Sequence, residues 1–345
     1  MSTFDPEVKK EAESISKDIS ISIEHAKSYP GQDGRLGFDF TTFFDSLTKV
    51  SKRIEYDSSS LFIISKPPVK SSEVLEILEK LKSSISSLSL LLFTIPESMG
   101  NNWIKLTKEK MTAVLMASLD MLKTYTTDNS ESEGQAGSRN LLPEELTNYV
   151  TRTSRDLLNI PKNNKEAVMY IWKKDIMELV QDACDELKDT IESAENADDD
   201  QESDSVSIDD FDMELSRDKI PVAKKIRALL LLIACFCKKI LLRSICSDDR
   251  LSQEKIYWLD ELLEMTARLP AKIDTLISTL IECELVEGSD STEISKLIQD
   301  LAKCSISIIN LAINMTDNEH TEWFERCKDA LFKHQLSCTE EVANR

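Results

Sequence analysis

Apolar residues recur along most of this chain in steps of three and four, the period of an amphipathic helix. Val74, Leu78, Leu81, Ile85, Leu88 and Leu92 form the cleanest stripe, and Ile294, Leu297, Leu301, Cys304, Ile308 and Leu311 repeat it near the other end. The same period predicts helices over about 5–28 (Val8, Ile15, Ile19, Ile23), 39–64 (Phe40 to Leu61, weak at Ser58-Ser59-Ser60) and 101–126 (Trp103 to Leu122). Tyr29-Pro30-Gly31, Pro67-Pro68 and Pro96 with Gly100 separate them, by turn chemistry and by the missing N–H of proline. The polar stretch 127–139 reads as a loop. Pro143 suits the first turn of a helix running to about Leu158.

Asn163 and Glu166 are spaced as a capping box. They open a helix over about 164–194 with Met169, Trp172, Ile176, Val180, Ala183, Leu187 and Ile191 on one face. Further helices are predicted over about 221–246, 250–284, 291–314 and 318–338. Pro270 should kink or split the second of these, and Asp290 with Glu293 should cap the third. Each stripe lasts under four heptads and lacks an ordered charge code, so it reads as the core face of a bundle rather than a zipper. No strand pattern and no solenoid repeat is present. Scarce glycine (7 residues) supports mostly helix and counts against phosphate-cradling loops.

Charge divides the pattern. Between Asp189 and Ser216 stand twelve carboxylates and no Lys or Arg, which accounts for twelve of the twenty net negative charges. Such a segment cannot bury enough apolar surface to offset its ordering entropy, so a solvated, disordered linker is expected. The resulting division is an N-terminal bundle (1–194), an acidic linker (195–216) and a C-terminal bundle (217–345). The linker serves either as a plain tether or as a regulated segment. Ser203, Ser205 and Ser207 lie among its acids, and Ser207 precedes Asp209-Asp210, a context for acidophilic phosphorylation.

Little in the sequence points to chemistry. There is no G-x-S-x-G, P-loop or G-x-G-x-x-G, so no catalytic residue is assigned and the chain is read as a non-enzyme without cofactor. Cys327, His334 and Cys338 share a helix face, yet Cys327 and Cys338 would stand roughly 16 Å apart on a helix rising ~1.5 Å per residue, and no metal site is assigned. The acidic balance (62 Asp and Glu against 42 Lys and Arg) opposes direct nucleic-acid binding, and the basic clusters Lys173-Lys174, Lys224-Lys225-Arg227 and Lys238-Lys239-Arg243 read as solvated faces. The longest uncharged apolar run, Ala228 to Cys237, is too short to span a membrane. No secretory leader pattern follows Met1, so the eight cysteines are expected as reduced thiols inside the cell.

Three segments carry a resemblance: Ile160-Pro161-Lys162-Asn163-Asn164-Lys165-Glu166-Ala167; Ile220-Pro221 with Ile226-Arg227-Ala228 after the acidic gap; and Leu259-Asp260 followed by Leu269-Pro270-Ala271-Lys272-Ile273-Asp274 and Leu276. In order and spacing they resemble the cyclin-D-binding protein family (GCIP-like cell-cycle regulators) over about 140–280. The N-terminal third is similar by pattern only. Asn163 departs from that family's usual Asp, and the helix after Arg227 is longer and more apolar. The resemblance implies all-helical bundles of the talin or vinculin kind. It also implies a non-enzymatic role in cytoplasm and nucleus, binding D-type cyclins or helix-loop-helix factors and restraining cell-cycle progression. Expected partners are therefore proteins, a second copy of the chain included, with no membrane. The alternative is a cytoskeletal or general helical-bundle scaffold.

Overall fold

The computed structural model describes residues 4–29, 38–126, 142–196, 215–247, 251–283, 289–316 and 318–344. Among these residues every extended element is a helix, as the three- and four-residue periodicity predicts. Two compact units divide at Ala167/Val168.

The first unit holds α1 (Pro6–Ser28), α2 (Phe40–Ile64), α3 (Ser71–Leu92), α4 (Asn101–Thr126) and α5 (Pro143–Asp156). Asp5 and Asp39 cap α1 and α2 by accepting from the amides of Glu7 and Thr41, which satisfies donors that a helix start leaves unpaired. The helices close a ring in which α1 touches α3 and α4, α2 touches α3 and α5, and α4 touches α5. Ile15, Ile19, Leu47, Ile54, Leu78, Leu81, Leu88 and Trp103 are fully enclosed inside it. The serine run in α2 does not interrupt the helix, because Ser58 is itself buried within the packed face.

The second unit begins inside α6 (Asn164–Ile171), which continues through a π-helical turn (Trp172–Glu178) into α7 (Leu179–Asn196). Then come α8 (Ile220–Ile240) with its own π turn (Leu241–Ile245), α9 (Gln253–Thr266), α10 (Leu269–Glu282), α11 (Ser289–Ile313) and α12 (Asn318–Ala343). Here α7, α8, α12, α11 and α10 form the ring, and α9 lies against α11. Pro270 splits the expected 250–284 helix, at Ala267–Arg268, and starts α10. The following helix begins at Ser289, so Asp290 falls in its first turn and not before it.

The π turn has a sequence cause. Val168, Trp172, Ile176, Val180 and Cys184 are all buried at successive four-residue steps. On a helix of 3.6 residues per turn each such step rotates the stripe by about 40°, so four would carry it nearly half way round. A widened turn absorbs the surplus and keeps these side chains in one core.

The expected boundary at 194/195 is displaced. Residues 168–194 do not belong to the N-terminal bundle: Val180, Cys184, Leu187 and Ile191 share a core with Val222, Ile226, Leu230 and Ile233 of α8. Trp172 Nε1 donates to the Cys237 carbonyl at 3.1 Å, and Lys224 meets Glu195 at 2.5 Å. The acidic stretch thus joins two antiparallel neighbours of one bundle, and is not the joint between two. Composition marks where the chain leaves the core but not which helices pair across the gap. Asp189, Glu192 and Glu195 of that stretch are helical. Residues 197–214, with the disorder expected of them, lie outside the described residues, as does the polar loop at 127–139.

Candidate functional site

The family-like segment Ile160–Ala167 closes the first unit. Asn163 Oδ1 accepts from the Glu166 amide at 2.9 Å, and Glu166 reaches back to the Lys162 amide at 2.9 Å, one residue earlier than a strict capping box. The next residue, Asn164, is buried, and its Oδ1 accepts from the Trp103 amide in the first turn of α4 at 3.0 Å. Trp103 Nε1 in turn donates to the Pro161 carbonyl at 2.6 Å. Gly100 makes this approach feasible: at φ +92° it leaves the Asn164 carboxamide room that a Cβ would occupy, 2.3 Å from Cγ. Phe38, Phe40 and Phe43 pack edge-on around the Trp103 ring with centroids 5.8–6.3 Å away. This knot is structural: its hydrogen bonds tie the start of α6 to the start of α4 and to the segment between them.

A second feature is shaped to receive something. On the second unit an open hollow of about 560 Å³ lies between α9 and the end of α11. Trp258, Leu311 and Met315 supply its apolar surface, with Tyr257, Glu254, Glu261, Gln253 and Asn314 around them. Trp258 is fixed by a hydrogen bond from Nε1 to the Leu311 carbonyl (2.9 Å), and the buried Lys255 ammonium lies 4.2 Å from its ring centroid. Lys255 Nζ also donates to the Ser244 carbonyl at 2.6 Å, which holds this end of α9 against the unit. Tyr257 is 65% exposed although it sits beside this anchored wall. Glu254, Tyr257, Glu261 and Glu264 recur in steps of three, four and three and are all exposed, one face of α9. Apolar periodicity does not mark this stripe, whereas the same three- and four-residue count on the polar positions does.

The residues singled out from sequence fare unevenly. Ser203, Ser205 and Ser207 lie outside the described residues. All eight cysteines are free thiols. Cys184, Cys237, Cys327 and Cys338 are buried, Cys246, Cys283 and Cys304 are half-buried, and Cys235 is exposed on α8. Burial pushes Cys184 and Cys338 up to about 11 and Cys327 up to about 12, and raises Cys237 and Cys304 as well. Among the described residues no three His, Cys, Asp or Glu side chains gather to hold a metal ion, and no helix is long and apolar enough to cross a membrane. The basic clusters are partly engaged within the unit: Lys224 with Glu195, Lys225 with Glu341 at 2.8 Å, and Lys239 over the Trp323 ring.

Comparison with known proteins gives one finding. The family described as Grap2 and cyclin-D-interacting, N-terminal, matches residues 46–193. The match takes in α2 to α7, hence most of the N-terminal third that pattern alone had connected, and the Ile160–Ala167 knot. The two later resembling segments, at 220–228 and 259–276, lie beyond it. No curated protein matches the chain.

Proposed function

We propose that this chain, which through residues 46–193 belongs to the Grap2 and cyclin-D-interacting family, is a non-enzymatic interaction protein that binds a D-type cyclin and restrains cell-cycle progression. The family match carries this reading. It is supported by polar groups that hold helices together, as in the Trp103–Asn164–Pro161 knot, while helix faces such as that of α9 are left to solvent. Helix-loop-helix factors are a second class of protein partner on the same reading, with action in both cytoplasm and nucleus. The acidic stretch is a regulated segment in this account. Phosphates on Ser203, Ser205 and Ser207 would each add roughly −1.5 to −2 charges beside existing carboxylates.

Affinity purification of the intact protein beside a version lacking 197–214, from cells that express a D-type cyclin, tests this. The cyclin should be recovered stoichiometrically with the intact chain, and phosphatase treatment should change recovery only when 197–214 is present. Absence of any cyclin from both preparations would remove the cyclin assignment.

A further inference from the structure

We infer that the exposed face of α9 and its hollow are a docking surface for a cationic helical segment of a protein partner. This deepens the interaction reading above and rests on it. The argument starts from charge. Glu254, Glu261 and Glu264 are exposed, and among the described residues none of the three forms an ion pair. The three carboxylates span ten residues of helix, about 15 Å at 1.5 Å per residue. Lys or Arg side chains three, four or seven residues apart on a facing helix repeat at that same interval.

The apolar component points the same way. Tyr257 stands between Glu254 and Glu261 with its ring two-thirds in solvent, beside the Trp258, Leu311 and Met315 wall. A Lys or Arg stem can cover that wall while its charged head lies against the Tyr257 ring face and the flanking carboxylates. A neutral apolar side chain would fill the hollow but leave the carboxylates unmatched, and an acidic segment would be repelled. The anchored Trp258 keeps the wall fixed before binding, so little ordering is required of this side of the contact.

The test uses the full chain and a synthetic 18-residue helical peptide with Arg at i, i+3 and i+7 on one face and a Leu between them. A matched peptide carries Gln for Arg. Titration at 50 mM salt should give saturable binding of the Arg peptide, and E254Q/E261Q should weaken it at least tenfold, as should Y257A. The control pair E13Q/E109Q, which removes the same charge from the first unit, should leave affinity within twofold. Equal binding by the Gln peptide, or equal loss in the control pair, overturns the proposal, since either means apolar adhesion or bulk charge. Recovery of a D-type cyclin is measured in parallel on E254Q/E261Q. Undiminished cyclin binding with no peptide binding sinks this surface and leaves the family reading intact. Peptide binding at this face by a chain that recovers no cyclin does the reverse.

Discussion

Replacing Gly100 with Ala tests the account of the first unit at its tightest point. The substitution brings two penalties. A residue with a Cβ at φ +92°, ψ 140° occupies backbone space close to that reserved for glycine, at a cost of about 1–3 kcal/mol. The new methyl would also lie 2.3–2.6 Å from the Asn164 carboxamide, so that side chain must move. Moving it strands the buried Trp103 amide, and an unsatisfied buried donor costs about 1–3 kcal/mol. Together G100A should destabilise the first unit by about 2–6 kcal/mol. Hydrogen exchange read by mass spectrometry on peptides from α4 and from 160–167 reports this locally, which matters in a chain with two units. Asn164→Ala separates the terms, because it removes the obstacle and the acceptor together. In the double variant only the backbone penalty should add to the N164A loss, so the double variant should lose less than the sum of the two single losses by about 1–3 kcal/mol, the cost of the stranded amide. A G100A protein with unchanged exchange, or strict additivity with N164A, refutes the geometry of this knot.

Three further outcomes follow from the same structure. Asp57 is buried between α2 and α3, where burial raises its pKa against the opposing Ser84 hydrogen bond and the charges of Arg53 and Lys80. A carboxyl raised in the folded state binds more protons there than when unfolded, so it costs stability as pH rises through the folded value. D57N should therefore raise the urea midpoint of the first unit at pH 7, with the gain vanishing below about pH 4, where both states are protonated. Cleavage within 197–214 should leave the two fragments associated, because α7 and α8 share a core; a purified 217–345 fragment should instead be unfolded or aggregated by circular dichroism and light scattering. Alkylation at pH 8 should label Cys235 at least tenfold faster than Cys184, Cys237, Cys327 and Cys338, whose thiols burial keeps protonated and enclosed; equal rates by peptide mapping would contradict the placement of α8.

Most of the helical inventory is legible in the sequence because one period, three and four, governs nearly every buried side chain. Pro143, Pro270 and the Asn163–Glu166 pair also announce their helix starts by elementary chemistry. What periodicity does not carry is pairing. Nothing in the stripe from Trp172 to Ile191 says that it meets Ile226 and Leu230 across the acidic stretch rather than α4 or α5, because an apolar face fits any complementary face. Gly100 shows a similar limit: sequence reads it as a stop, while its reason is a carboxamide sixty-four residues away. The docking face on α9 is missed for the opposite reason. Its signal is polar, and charged helix faces are so common that Glu254, Tyr257, Glu261 and Glu264 gain meaning only beside Trp258 and Leu311.

The most direct test of the central claim is a calorimetric titration of the purified full-length chain with a purified D-type cyclin at moderate salt. A saturable complex is expected, weakened at least tenfold by E254Q/E261Q. No heat and no co-elution of the two proteins at tens of micromolar would contradict it.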